Sequence, residues 1–530
     1  MRANQRRKCI YMILGALLWQ IATCSNSFAQ NADTNVAAQE PAQGAEPANV
    51  ATMLKQLQAQ IDVLNAQVNG LKMQQQAAQA ETAEMRKDLA LAKSQLADLE
   101  NPGKSMDAMQ VQPGSPAAPT STAERISRLE ENQQMADAKI AEQSQTKIES
   151  SSKYRLRLSG IVLFNLYGSR GNVDNVDYPQ IATPPTLLFT DASFGGSLRQ
   201  SQLGIEAFGP TVAGARTSAN VQFDFAGGFP QTANGVSFGI MRLRTGTVRF
   251  DWQDTSIVAG QDALFFSPLT PTSFATLAVP ALAYAGNLWS WTPQVRVEHR
   301  FTISDSSKIS LQGGILDSLS GDTPDAGVYR APSWGENSGQ PAYAARGAWT
   351  QRVQGQDLTV GFGGYYGRQV WGFHRRVDSW AGMVDVTLPL GTKLELTAQF
   401  YRGHALGGLG GGVGQSVLWN GSFIDPTTEV EGLNSLGGWA QLKFKATSKL
   451  QFNGAFGQDN PYASDLRQYG GNATLYGAPI SRNQSGFVNF IYQPRSDIVL
   501  SLEYRKIRTY LLDANSNSVN LANFSVGYIF

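Results

Sequence analysis

The chain has 530 residues, too many for one ordinary soluble domain, and is 42% hydrophobic and 10% aromatic but only 16% charged, against roughly 25% charged in a typical soluble domain. A net charge of +1 lacks the basic footprint of a nucleic-acid binder, so no nucleic-acid partner is expected. Beyond the N-terminus no apolar run reaches the ~20 residues of a membrane helix, so a membrane-spanning form would have to be a closed barrel, which alone pairs every strand edge in lipid.

The first 29 residues read as a signal peptide. Arg2, Arg6, Arg7 and Lys8 form a basic start, Ile10 to Ile21 an apolar stretch, and Ser27-Phe28-Ala29 a small-x-small cleavage site ahead of Gln30. Cys9 and Cys24 are the only cysteines. Ile21-Ala22-Thr23-Cys24 is a weak match to a lipoprotein box, with an unusual Thr before the Cys. Cleavage after Ala29 removes both cysteines, which excludes disulfides and cysteine metal sites; no metal or cofactor is implied.

Residues 30–50, rich in Ala, Pro, Gln and Asn, read as disordered. A heptad seam follows within 51–101, running Leu54, Leu57, Ile61, Leu64, Val68, Leu71 and on to Leu96 and Leu99, weakened at Gln75, Ala78 and Thr82. Its narrow stripe favours a self-associating coiled coil over a helix lying on its own protein. Asn101-Pro102-Gly103 ends it, and residues 102–120 form a linker. Ser121-x-x-Glu124 is a capping box that opens a second helix over 121–150, with Ile126, Leu129, Ala136 and Ile140 on one face.

From 153 to 530 apolar residues recur at every second position, the period of a strand with two different faces. Val221 and Phe223 alternate with Gln222 and Asp224, Val295 and Val297 with Arg296 and Glu298, and Leu500, Leu502 and Tyr504 with Ser501, Glu503 and Arg505. The polar face includes charges throughout, as a wet lumen would. Sixteen strands are predicted, near 154–167, 198–208, 215–225, 239–250, 255–262, 293–301, 306–316, 341–350, 357–367, 377–388, 392–402, 437–445, 449–457, 483–493, 497–508 and 518–530. Uneven phase around Gly246 suggests a bulge. Short turns such as Gly209–Gly214 and Ala446–Ser448 alternate with long loops at Ser169–Ser197, Ala263–Thr292, Asp317–Gln340, Gly403–Leu436 and Gln458–Arg482. That alternation marks a periplasmic and an external end. The fold class is therefore an all-β transmembrane barrel with an N-terminal helical coiled-coil extension, placed in the bacterial outer membrane with the coiled coil in the periplasm.

Ala522, Phe524, Val526, Tyr528 and Phe530 share one face of the last strand. The aromatic end, Tyr528 and Phe530, resembles the signal read by the bacterial barrel-assembly machinery. The loop Ala263–Thr292 carries Phe265, Phe266, Phe274, Trp289 and Trp291 and three prolines, too apolar for water, and is expected to fold into the lumen or to pack against loops or a second subunit. Alternation places Arg242, Arg244, Arg296 and Arg346 on the lumen face near mid-height, with Arg216 and Arg300 lower. Fixed guanidinium charges suit carboxylates and favour anions in a pore. Asp224, Glu298, Asp385, Glu395 and Glu503 share that face and would pair with them. Catalysis is the weaker class. The mature chain has three histidines, His299 on the outward parity and His374 and His404 at external loops, with no partner constellation for a nucleophile.

Several stretches resemble the DcaP-like trimeric porins of Gram-negative bacteria: Arg199-Gln200-Ser201 through Gly228, Met241–Trp252, the Gly260-Gln261 step and Gly286–His299. The order of signal peptide, coiled coil and barrel also matches. The resemblance implies a homotrimer and passage of small anions, dicarboxylates among them, with Arg242, Arg244 and Arg296 in the matching motifs taking a lumen role. The expected function is a passive porin for small anionic solutes, without enzymatic activity. Its partners would be outer-membrane lipid, the assembly machinery, and peptidoglycan or a periplasmic protein at the coiled coil. The rival readings are an outer-membrane tether acting through the coiled coil, and a barrel hydrolase.

Overall fold

The structure, a computed structural model, describes residues 147–148, 155–186, 190–229, 239–321, 330–353, 355–470, 478–513 and 515–530. The signal peptide, disordered segment, coiled coil, linker and most of the second helix lie outside the described residues.

Sixteen strands form one antiparallel sheet closed on itself. They are β1 (Arg155–Arg170), β2 (Ala192–Ser197 continued by Gln202–Val212), β3 (Ala215–Asp224), β4 (Arg242–Asp251), β5 (Thr255–Ala263) and β6 (Trp291–Ser304). Then follow β7 (Ser307–Leu316), β8 (Ala342–Val353), β9 (Gln356–Trp371), β10 (Arg375–Leu390) and β11 (Leu394–His404). The set ends with β12 (Asn434–Lys445), β13 (Leu450–Pro461), β14 (Ile480–Arg495), β15 (Ile498–Leu511) and β16 (Ser516–Ile529). Each strand pairs with its sequence neighbour, and β16 pairs with β1 from Ile529↔Ile161 to Asn520↔Arg170. Closure leaves no edge, as lipid requires. At the seam the backbone N–H of Gly160 donates to Phe530 and that of Phe530 to Gly160, at 2.8 and 3.0 Å. Below it Lys147–Ile148 pair with Arg157 and Leu156, so the end of the span expected to be helical joins the sheet instead.

The alternation read from sequence is the alternation of the wall. Leu502, Tyr504, Phe524, Val526 and Tyr528 are exposed on the outer face, whereas Ser501, Glu503, Arg505, Asn523 and Ser525 are buried on the inner one. Phe362, Phe400, Phe456 and Val488 extend the outer apolar belt. An apolar belt of this kind needs lipid rather than water against it. Connections are short at the end bearing Phe530, for example Ala213–Gly214, where both residues take the positive φ of a tight hairpin turn. Long loops occupy the other end, with a short helix α1 (Ala463–Tyr469) after β13. One connection at that end is also tight, Gly372–His374.

Three expectations are revised. The second strand begins at Ala192 rather than 198, and Leu198–Ser201 leave the ladder. Gln200 is fully buried there, its amide donating to Ala275 O at 2.9 Å and accepting from Ala278 N at 3.0 Å, and these bonds replace the ladder. The irregularity expected at Gly246 falls just before it, where the register shifts between Gln222 and Phe223 opposite Leu243–Thr245. The inner face is not polar throughout. Tyr365, Met383, Tyr401, Trp439 and Phe487 point inward and are buried, because the lumen there is filled by protein rather than water.

Candidate solute path: an arginine wall facing an inward loop

The loop between β5 and β6 (264–290) folds into the lumen. Its apolar residues meet the apolar inner wall on one side. Phe266 stacks on Tyr365 with ring centroids 5.4 Å apart, and Leu264, Phe266 and Leu288 pack with Met383 and Tyr401. Leu282 and Ala285 pack with Trp439, Ala455 and Phe487. Each such side chain removed from water contributes about 1.5–3 kcal/mol, which is why a loop this apolar leaves the surface. The wall carries glycine where loop backbone presses on it: a Cβ on Gly457 would collide with Ala285 O, and one on Gly363 with Phe266 O. A second, Gly-rich strap joins from the β11–β12 loop. Trp289 N–H donates to Leu409 O at 3.0 Å, and the buried Asp459 carboxylate accepts from Tyr401 OH at 2.9 Å and Val413 N–H at 3.2 Å.

The other side of the loop meets charge. Arg242 donates to Asp224 through Nε and Nη2 at 3.0 and 2.6 Å, and to Ala278 O at 2.6 Å. Arg244 donates to the same Asp224 at 2.8 Å and to Leu277 O at 2.7 Å. Both guanidinium groups lie over Trp291, at 5.1 and 4.4 Å from the ring centre, the geometry of cation–π attraction. Two arginines share one fully buried aspartate, so the trio keeps one net positive charge. The Nε of Arg244 has no hydrogen-bond partner. Buried donors are normally paired; this one is sealed from solvent, with the Trp291 ring beside the guanidinium.

Arg296 donates to Glu298 and Asp262, both at 2.8 Å, and Arg249 joins Asp251 to Glu298 at 2.8 and 3.1 Å. Arg346 makes a bidentate pair with Asp385 at 3.1 and 2.7 Å. Of the residues expected on the lumen face, Arg242, Arg244, Asp224, Arg296 and Glu298 thus come together on β3–β6. Arg346 stands apart on β8, locked to one carboxylate. Arg300 lies lower on the same wall, with Ser256 Oγ at 3.3 Å as its side-chain acceptor. Arg216 is exposed beside the β2–β3 turn. The pairing weighed against free arginines is therefore present, and is complete for Arg296 and Arg346. Glu395 is held by Lys443 and Lys445, and Glu503 by Arg505.

Sequence reasoning missed Asp262, Arg249 and Asp251 as members of this wall. Asp262 sat on visible inward parity; the parity of Arg249 and Asp251 was hidden by the bulge. His299 faces outward, its Nδ1 2.8 Å from Thr255 Oγ1. His374 sits in the turn between β9 and β10, and His404 has its Nδ1 2.8 Å from Asp378 O. The three are not brought together.

A closed, lipid-belted barrel whose lumen holds an inward loop against an arginine wall defines the class: a transmembrane β-barrel with a built constriction. The fold is shared with the outer membrane channel DcaP of Acinetobacter baumannii, at TM-score 0.56 and 16% identity, covering 73% of this chain and 100% of that one. This agrees with the resemblance carried by the motifs around Arg199, Met241 and Gly286. The chain is also similar to an anion-selective porin from Comamonas acidovorans (TM-score 0.44, 12% identity, 71% and 100% covered) and to Pseudomonas putida OprB (0.43, 11%, 71% and 94%). No family model matches the sequence, and no curated protein matches it.

Proposed function

We propose that the chain is an outer-membrane porin, a passive aqueous channel for small solutes with a preference for anions, dicarboxylates among them. The observation that carries the reading is the pair Arg242 and Arg244 on the single carboxylate of Asp224, beside the inward loop and over Trp291. A net cation at a narrow place raises the local concentration of anions. A carboxylate solute would meet the accessible edge of the Arg242 guanidinium, 27% exposed against 10% for Arg244, a planar fork that suits oxyanions. The working unit is a homotrimer by resemblance, delivered by the barrel-assembly machinery through its aromatic end. The coiled coil would stand in the periplasm, within reach of peptidoglycan or a periplasmic protein.

The test is uptake into liposomes holding the purified protein, with a four-carbon dicarboxylate compared with a neutral sugar of similar size. Faster entry of the dicarboxylate, narrowing as salt is raised, is the expected result. Equal rates at low salt would refute the anion preference, and absence of any conductance in planar bilayers would refute the channel.

A further inference from the structure

The outer face of the barrel carries a charge asymmetry that solute passage does not use. The outward-facing cations Arg170, Arg482, Lys506 and Arg508 lie at the long-loop ends of β1, β14 and β15 and are all exposed. They are neighbours in the sheet. Arg508 stands opposite Gln484 and Arg482 opposite Tyr510, while Lys506 and Arg170 flank Asn520 from its two sides. The guanidinium groups of Arg482 and Arg508 share one ring, at 5.1 and 4.8 Å from the centre of Tyr510. Among the described residues none of the four makes an ion pair. The nearest loop carboxylate toward α1, Asp513, is held by Arg467, and Asp191 lies beyond the sheet partner of Arg170. On the external half of the strands the only outward carboxylate among the described residues is Asp378, and Arg368 holds it. Like charges gathered without a counter-ion repel one another, and the arrangement calls for an anion from outside the chain.

Directly toward the short-turn end, the same face is apolar. A trough of about 610 Å³ runs between β12 and β16. Gly454 and Ala522 form its floor, and Phe452, Val488, Phe490 and Tyr504 its walls. Tyr504 lies two residues below Lys506 on the same face, so the trough opens beneath the cations, and its hydroxyl donates to Asn520 at 2.8 Å. An aromatic residue with its polar tip raised marks the boundary between hydrocarbon and headgroups.

We propose that this face binds a phosphate-bearing lipid of the outer leaflet, its phosphates on Arg482, Lys506, Arg508 and Arg170 and an acyl chain in the trough. Cations above an apolar groove match an anionic amphiphile. A second copy of the chain fits less well, because it would have to bring carboxylates on its own outer wall, and Asp378 is already held.

The experiment measures binding of bisphosphorylated lipid A in mixed micelles to the full-length, detergent-purified protein, against the same lipid with both phosphates removed. The variants are R482Q/K506Q/R508Q and, for the trough, A522F. Wild type should bind the phosphorylated lipid at least about tenfold more tightly than the dephosphorylated one. The triple variant should lose that difference, and A522F should weaken both lipids while keeping it. Inorganic phosphate at millimolar concentration should not displace the lipid. Equal wild-type affinity for the two lipids would overturn the proposal, whether or not the variants fold. So would a folded triple variant that binds as wild type does, or displacement by inorganic phosphate. A triple variant that loses its oligomeric state but keeps lipid affinity would assign the face to contact between copies instead.

Discussion

Strands β3–β6 and strands β9–β12 follow the same two-residue alternation, yet their inner faces are opposite in character. The first sector presents Asp224, Arg242, Arg244, Arg249, Asp262, Arg296 and Glu298. The second presents Tyr365, Met383, Tyr401 and Trp439, which are dry because loop residues cover them. The inward loop lies between, with its apolar side chains on one sector and its backbone carbonyls Leu277 O and Ala278 O on the arginines of the other. The difference shows that inward direction does not by itself mean wet. One arc receives the loop through apolar packing and the other through hydrogen bonds from its arginines.

The largest expected effect comes from prising the loop off the dry arc. Gly457→Val places side-chain atoms where Ala285 O and Leu282 now pack, while leaving every charge in place. Single-channel conductance should rise about twofold or more, since the constriction loses its seat. Unchanged conductance would mean that the loop is held by the arginine arc alone, and the division of labour between arcs would fail.

A smaller, electrical effect is expected on the charged arc. Asp224→Asn keeps the shape and removes the carboxylate shared by Arg242 and Arg244. The trio changes from one net positive charge to two, so anion preference should increase at low salt while conductance changes little. Weakening charge-assisted hydrogen bonds to a buried group should cost about 1–3 kcal/mol of stability. A reversal potential moving toward cations would contradict the assignment.

These arcs also mark how far the sequence could be read. Strand existence, order, closure, the direction of side chains and the inward loop were legible, since period two and the alternation of short turns with long loops are local signals. The inward faces of Arg242, Arg244 and Arg296 followed from the same period. Which inward residues were wet was not legible, because that depends on a loop returning from distant sequence: Phe266 reaches Tyr365 and Ala285 reaches Gly457. The kink at Leu198–Ser201 was missed for the same reason, as Gln200 is satisfied by Ala275 and Ala278. Arg249 was lost to a one-residue bulge that inverts parity after it.

Neither arc should respond to the seam. Phe530→Ser is expected to lower the amount of assembled barrel in the outer membrane several-fold, measured as heat-modifiable protein, while the barrels that do form conduct normally. The ring of Phe530 lies against Gly160 and its backbone closes the last pair with β1. Undiminished assembly would argue against the aromatic end as the recognised signal.

The smallest effect is expected in an external loop outside both arcs. Arg330 grips Glu336 through both Nη atoms at 2.7 Å, and Ser333 N–H adds a third bond at 2.7 Å. These hold the Glu336 carboxyl at about 2, below its usual 4.5. A depressed folded value means that the contribution is present above the unfolded value and is lost as pH falls through about 2. Limited proteolysis of the β7–β8 loop should therefore be unchanged between pH 7 and pH 4 in wild type. In Arg330→Gln, sensitivity should increase already near pH 4, with conductance unaltered. Equal sensitivity in the two proteins would remove the ion pair as the fastening of this loop.

The central claim is that the charged arc sets selectivity through Arg242 and Arg244. It is tested most directly by the reversal potential across a salt gradient at low ionic strength, where a Debye length of ~10 Å or more leaves wall charges unscreened. Wild type is compared with R242Q/R244Q, which leaves Asp224 as the remaining charge of the trio. The account predicts an anion-selective potential in wild type that moves toward zero or cation preference in the double variant, with the two converging in molar salt. Coincident potentials at low salt would contradict it.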